Sequence, residues 1–244
     1  MNSNGLDIEW SPCGNYLVIT HSSLVPSAQW WKRTGDTLVL IGTIPSVAST
    51  ATSVSWCPNG RYFAITTSGV SPYVQWWKRT GDTLTYLGGL TGASNYGLGL
   101  GWSPCGNYLA VATSSYGVYA QWYKRTGDKL TLIGTIPQSL IYAGQIAWSP
   151  CGNYLIVANG TTSPYIQWYK RTGDALTYLG SPTGAISSSI LSWSPDGNYL
   201  AVTTSTTSPY VQWYKMTSDA DKIYQIVQCD SDSSQAIDYN SLLK

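Results

Sequence analysis

Few side chains in this chain of 244 residues could carry acid–base, nucleophilic or metal chemistry, and their placement limits that chemistry. Asp7 and Glu9 are the carboxylates nearest the innermost strand expected below, both in the short segment Leu6-Asp7-Ile8-Glu9-Trp10. Glycoside cleavage needs two carboxyl groups flanking the bond, roughly 5–9.5 Å apart, and Glu9 alone cannot serve there as both acid and base. His21 is the sole histidine, so a His-rich metal site is excluded. Cys13, Cys105 and Cys151 recur at one position of a repeated segment. They cannot converge on one zinc, whose sulfur ligands sit at about 2.3 Å. No Gly-Lys-Ser/Thr phosphate loop occurs, and Asn159-Gly160-Thr161 matches a glycosylation acceptor only by coincidence. The expectation from these residues is a protein that is not an enzyme and holds no cofactor or metal.

The elements that position these residues follow from five tryptophans. Trp10, Trp56, Trp102, Trp148 and Trp193 are spaced by 46, 46, 46 and 45 residues, and each opens the same phrase of sequence. A fixed period of that length means a repeat architecture. Within the second repeat, Thr52–Trp56 is a short β-branched run (strand a) and Pro58-Asn59-Gly60 a tight turn. Tyr62–Thr66 is strand b, Tyr73–Lys78 strand c, and Thr83–Leu87 strand d after the turn Thr80-Gly81-Asp82. Strand c carries large apolar groups on both faces, with Trp76 on one and Trp77 on the other. A sheet wetted on one side would alternate apolar and polar, whereas blades packed on both sides would not. The pattern predicts an all-β, five-bladed β-propeller with four antiparallel strands per blade, spanning residues 1–228, and a polar tail over 229–244. The leading tryptophans and Trp30, Trp76, Trp122, Trp168 and Trp213 of strand c are expected to fill the space between blades. Each blade comes from one continuous stretch, so a ring would close by side-chain packing of the first and last blades alone.

The segment Trp193-Ser194-Pro195-Asp196-Gly197-Asn198-Tyr199-Leu200-Ala201-Val202, followed by Tyr210-Val211-Gln212-Trp213-Tyr214, resembles strands a, b and c of WD-type propeller repeats. The usual Trp-Asp pair closing strand c is replaced by Tyr-Lys or Trp-Lys, which marks a divergent relative. Ser163-Pro164-Tyr165-Ile166-Gln167-Trp168-Tyr169-Lys170-Arg171-Thr172-Gly173-Asp174 is similar to repeats of bacteriophage tail and fibre proteins. That resemblance implies a virion structural or attachment role.

Composition narrows the partners. Charged residues make up 10% of the chain and the net charge is +1, which argues against nucleic acid as a partner. No apolar stretch of about 18 residues predicts a membrane span. The opening Met1-Asn2-Ser3-Asn4-Gly5 shows no secretory signal, and the five cysteines read as free thiols in a reducing cytoplasm. The a–b and c–d turns share one rim, which carries Lys32, Arg33, Lys78, Arg79, Lys124, Arg125, Lys170, Arg171 and Lys215. That rim is either a solvated surface, with local pairing to Asp36, Asp82, Asp128 and Asp174, or a contact for an acidic partner. The opposite rim is built from Ser, Thr, Gly, Asn and Tyr without Asp, Glu, Lys or Arg, and charge depletion marks contact surfaces. His21, Tyr96, Tyr116 and Tyr142 are its candidate binding residues.

These readings together lead to the expectation of a non-enzymatic bacteriophage virion protein, located in the tail, neck or capsid and assembled in the host cytoplasm. Its partners would be other virion structural proteins or a host-surface glycan. The alternatives are a soluble glycan-binding lectin and an intracellular, cytoplasmic WD-repeat scaffold.

Overall fold

The computed structural model describes residues 4–229, apart from 23–25, 48, 94–95, 115–119, 138–142, 160–162, 183–184, 186–187, 205–209 and 217–222. The described residues form twenty strands in five four-stranded sheets, each antiparallel and in chain order, with no helix among them. The fold is a five-bladed β-propeller, as the 46-residue period predicts. Blade 1 holds β1 (Gly5–Trp10), β2 (Tyr16–His21), β3 (Ala28–Thr34) and β4 (Thr37–Thr43). Blade 2 holds β5 (Thr50–Trp56), β6 (Tyr62–Ser68), β7 (Val74–Thr80) and β8 (Thr83–Gly89). Blade 3 holds β9 (Gly97–Trp102), β10 (Tyr108–Thr113), β11 (Ala120–Thr126) and β12 (Lys129–Thr135). Blade 4 holds β13 (Ala143–Trp148), β14 (Tyr154–Asn159), β15 (Ile166–Thr172) and β16 (Ala175–Gly180). Blade 5 holds β17 (Ser188–Trp193), β18 (Tyr199–Thr204), β19 (Val211–Met216) and β20 (Ile223–Cys229). The expected tail, 229–244, lies outside the described residues beyond Cys229.

The chain divides into two compact units, Met1–Ile136 with blades 1 to 3 and Pro137–Lys244 with blades 4 and 5. In the first unit, the turn after β5 shows why each phrase folds as it does. Gly60 takes φ +66, a left-handed conformation in which an L side chain is strained, and its N–H donates to the Cys57 carbonyl at 2.8 Å. Where the residue after the leading tryptophan is serine, its hydroxyl closes the turn. Tyr16 N–H donates to Ser11 Oγ and Tyr108 N–H to Ser103 Oγ, both at 3.0 Å. Pairing of Phe63 with Trp77 and of Ala64 with Trp76 across β6 and β7 sets one ring on each sheet face. Both are buried, Trp76 at 3% exposure and Trp77 at 0%. One core therefore joins Tyr16, Val18 and Trp30 of blade 1 to Val54, Trp56, Phe63 and Trp77 of blade 2. The next joins Tyr62, Ala64 and Trp76 of blade 2 to Leu100, Trp102 and Tyr123 of blade 3.

The second unit repeats the scheme, with Ile156, Ile166 and Trp168 of blade 4 packed with Leu200, Val202 and Tyr214 of blade 5. Full burial of such side chains stabilises by about 1.5–3 kcal/mol each. Inter-blade packing is what the strand-c tryptophans Trp30, Trp76 and Trp168 do. Of the leading tryptophans, Trp56 and Trp102 pack between blades and Trp193 packs partly buried against the core of blades 4 and 5, while Trp10 of blade 1 is 44% exposed.

Candidate functional site

Along the turn rim, the repeat builds one constellation twice in the first unit. Asp82, in the β7–β8 hairpin, accepts from Lys32 Nζ at 2.7 Å and from Tyr16 OH at 2.6 Å, both from blade 1. Asp128 accepts from Lys78 Nζ at 2.7 Å and from Tyr62 OH at 2.5 Å, both from blade 2. The Arg79 guanidinium lies over the Tyr16 ring at 4.2 Å, and Arg125 lies over Tyr62 at 5.0 Å. Their Nε atoms donate to the Gly60 and Gly106 carbonyls. Hydrogen bonds from lysine and tyrosine hold both aspartates below the usual carboxylate range. Burial, with hydrogen bonding to aspartate, raises both tyrosines. Each of these aspartates is thus paired with the preceding blade, not with the lysine of its own hairpin. In the second unit, Arg171 Nε donates to the Gly152 carbonyl in the same way, and Lys215 is exposed. In the first unit Lys32, Lys78, Arg79 and Arg125 are thus engaged in contacts between successive blades.

The uncharged rim is described in part. His21 ends β2, half-buried, with its N–H donating to the Ser27 carbonyl at 2.9 Å. Tyr96 precedes β9, is 46% exposed, and meets Tyr73 edge-on with ring centroids 6.2 Å apart. Tyr116 and Tyr142 lie outside the described residues.

The chemically distinctive place is the inner strand of blade 1. β5 is the edge of its sheet, so some of its N–H groups lack a strand partner. Asp7 and Glu9 supply acceptors. Asp7 Oδ2 receives Val54 N–H at 2.9 Å and Ser53 Oγ at 2.7 Å, and Glu9 Oε2 receives Trp56 N–H at 2.6 Å. The two carboxylates, two residues apart on one strand, share a face and both stay half-buried. Loss of water around Glu9 raises its pKa from 4.5 to about 8; the Trp56 N–H opposes that rise and the Asp7 charge adds to it. A carboxyl titrating near neutrality can both take and return a proton.

This site was partly legible beforehand. Asp7 and Glu9 stood out as carboxylates, but the repeat alignment carried a stronger signal. The residue before the leading tryptophan is Glu9, Ser55, Gly101, Ala147 and Ser192 in turn, and only the first is ionisable. The same holds three positions before it, where Asp7 is followed by Ser53, Gly99, Gln145 and Ile190. The raised Glu9 pKa has no sequence signal, because it depends on how much water the second blade displaces. Among the described residues no group of three or more His, Cys, Asp or Glu could hold a metal ion. Cys13, Cys105 and Cys151 are free and exposed, and Cys57 is free and buried. No helix of the described residues is long and apolar enough to cross a membrane.

No family profile matches the chain, and no curated protein matches its sequence. Solved structures do match its fold. It is similar to the periplasmic gluconolactonase PpgL of Pseudomonas aeruginosa, with TM-score 0.71 and 15% identity over 94% of this chain and 73% of that one. It is also similar to a candidate 6-phosphogluconolactonase from Bacteroides uniformis, with TM-score 0.72 and 12% identity over 90% and 70%. A protein of unknown function from Desulfotomaculum acetoxidans matches with TM-score 0.71 and 17% identity over 91% and 69%.

These neighbours correct three expectations. The propeller's likeness is to lactonase-type propellers, not specifically to phage or WD-repeat proteins. The virion structural role, with its lectin and scaffold alternatives, is overturned by neighbours that carry enzyme names. The exclusion of enzymatic activity falls with it. That exclusion took glycoside cleavage as the reaction to satisfy, which demands two opposed carboxyls. Opening a lactone is ester hydrolysis, and a single carboxyl that takes and returns one proton meets its acid–base requirement.

Proposed function

We propose that the chain hydrolyses the lactone of a sugar acid, with Glu9 moving the proton. The observation that carries this reading is the Glu9 carboxyl, raised to about 8 on the one inner strand that breaks the repeat with acidic residues. Water adds to the lactone carbonyl carbon and gives its proton to the Glu9 carboxylate. The bond from that carbon to the ring oxygen then breaks, and Glu9 returns the proton to the departing oxygen. The product is the open-chain hydroxy acid, and Glu9 ends as it began. Asp7 acts through its charge, which makes the Glu9 carboxylate a stronger base. The fold likeness to gluconolactonase-type propellers supports the substrate class. Ser53, Ser55, Gly99 and Gly101 at the corresponding inner-strand positions of the next two blades are small and uncharged, as a neutral polyol requires.

The test is D-glucono-δ-lactone, and its 6-phosphate, followed by pH-stat between pH 6 and 9 with the uncatalysed rate subtracted. The expected rate rises with pH to a plateau above about 8 and is lost in Glu9→Gln. A wild-type rate no faster than buffer on both lactones, or a fully active Glu9→Gln, overturns the reading.

A further inference from the structure

The amides that Asp7 and Glu9 cap on β5 have counterparts on β9 that no side chain caps. In β5, Cys57 N–H donates to the Tyr62 carbonyl at 2.8 Å. Its neighbours Trp56 and Val54, paired with Phe63 and Ile65, turn their N–H groups away from β6 toward the two carboxylates. β9 repeats this register. Ser103 N–H donates to the Tyr108 carbonyl at 2.8 Å, and Trp102 and Leu100 pair with Leu109 and Val111. Bonded and non-bonded pairs alternate along antiparallel strands, so the Leu100 and Trp102 N–H groups point away from β10. β9 is the edge of its sheet, and no acceptor meets either group among the described residues. Both residues are buried, Leu100 at 8% exposure and Trp102 at 6%.

The side chains placed to cap them stand one period after Asp7 and Glu9. Ser53 replaces Asp7, and its hydroxyl turns back to donate to Asp7 Oδ2 at 2.7 Å. Ser55 replaces Glu9 with a shorter side chain that makes no hydrogen bond among the described residues. β5 and β9 nevertheless lie side by side, since Thr52 Oγ1 donates to the Gly97 carbonyl at 2.6 Å. Two backbone donors, two residues apart on one inner edge, therefore lack the oxygens that their counterparts on β5 have. A buried N–H without an acceptor is costly, and an oxygen bearing negative charge is the acceptor it binds most strongly.

We infer that the Leu100 and Trp102 N–H groups bind the oxygen on the carboxyl carbon of the sugar acid: the carbonyl oxygen of the lactone and a carboxylate oxygen of the product. That oxygen takes the place that Glu9 Oε2 holds one blade earlier. As water adds to the lactone carbonyl carbon, negative charge develops on the carbonyl oxygen, and two fixed donors stabilise it. The charge leaves that oxygen when the carbonyl re-forms and the bond to the ring oxygen breaks. Serines at 53 and 55 are then a requirement of the site, because carboxylates there would fill it. The choice of ligand rests on the lactone reading, whereas the open amides do not.

Amide NMR of the nitrogen-15-labelled chain tests it, with sodium D-gluconate as the probe at pH 6.5 and constant ionic strength. Sorbitol serves as the neutral polyol control. Gluconate is expected to shift the Leu100 and Trp102 amide resonances downfield and to leave those of Val54 and Trp56, already capped, in place; sorbitol should move neither pair. Ser55→Glu and Ser55→Gln copy the reach of Glu9 into the second blade, with and without charge. Both should move the Trp102 resonance before any ligand is added and weaken gluconate binding by about tenfold or more, with circular dichroism as the control for folding. Gluconate binding that spares the β9 amides, or that Ser55→Gln leaves intact, overturns the proposal. The two readings fail separately. A chain that hydrolyses lactones while its β9 amides ignore gluconate removes this site, and one whose β9 amides respond without any hydrolysis keeps the site and removes the reaction.

Discussion

Replacing Glu9 by Gln separates the electrostatics of the inner strand from its packing. The Glu9 carboxyl titrates at about 8 in the folded protein, against 4.5 ordinarily. Below pH 4.5 it is neutral both folded and unfolded and costs nothing. Between 4.5 and 8 the unfolded chain gives up the proton while the folded chain keeps it, so stability falls as pH rises. Above 8 both states are charged and the loss is complete. At about 1.4 kcal/mol per pH unit the ceiling is ~5 kcal/mol. Glu9 is half-buried, and solvent screening brings the expected loss to about 2–3 kcal/mol. Glu9→Gln keeps an oxygen for the Trp56 N–H and removes the titration. Urea unfolding followed by tryptophan fluorescence should give equal midpoints for variant and wild type near pH 4.5, and a more stable variant at pH 8.5. Parallel curves for the two proteins across that range would refute the burial of this carboxyl, and with it the pH profile expected for catalysis.

Three further outcomes test the architecture. Trp122→Ala should lower stability by about 3–5 kcal/mol in thermal or urea unfolding, because Trp122 is 3% exposed and the cavity cannot be filled by solvent. Gly106→Ala should cost more than Gly127→Ala. Both glycines have positive φ, +68 and +60, but a Cβ at 106 would lie 2.8 Å from Cys57 Sγ while one at 127 meets nothing within 4 Å. Thiol titration with a disulfide reagent should label Cys13 well before Cys57. Cys13 is exposed and its thiol is held below its usual range chiefly by the Ser11 hydroxyl, whereas burial pushes Cys57 up.

The blade plan was legible because period, turn chemistry and two-faced strands all depend on residues close in sequence. Trp76 and Trp77 announce burial on both sides of β7, and Pro58-Asn59-Gly60 announces the turn before β6. The rim was legible only in its residue types. Lys32 and Asp82 read as members of separate hairpins, and their pairing arises from the offset between successive blades, which no local pattern encodes. The inner site was misread for a chemical reason. Asp7 and Glu9 were measured against a two-carboxyl reaction, while desolvation of Glu9 by β5, a tertiary effect, suits it to a different one.

The rim joints have a consequence for how such a chain can change length. Lys32 reaches forward 50 residues to Asp82 and Tyr16 reaches forward 66, and Lys78 and Tyr62 repeat both offsets to Asp128. Every blade so joined offers donors to its successor and an acceptor to its predecessor, like a monomer with a head and a tail. A block of one period copied or excised anywhere in such a series leaves a seam with the same lysine, tyrosine and aspartate that stood there before. Recombination by whole periods therefore changes the number of blades without stranding a charge, whereas a cut of any other length breaks two joints at once.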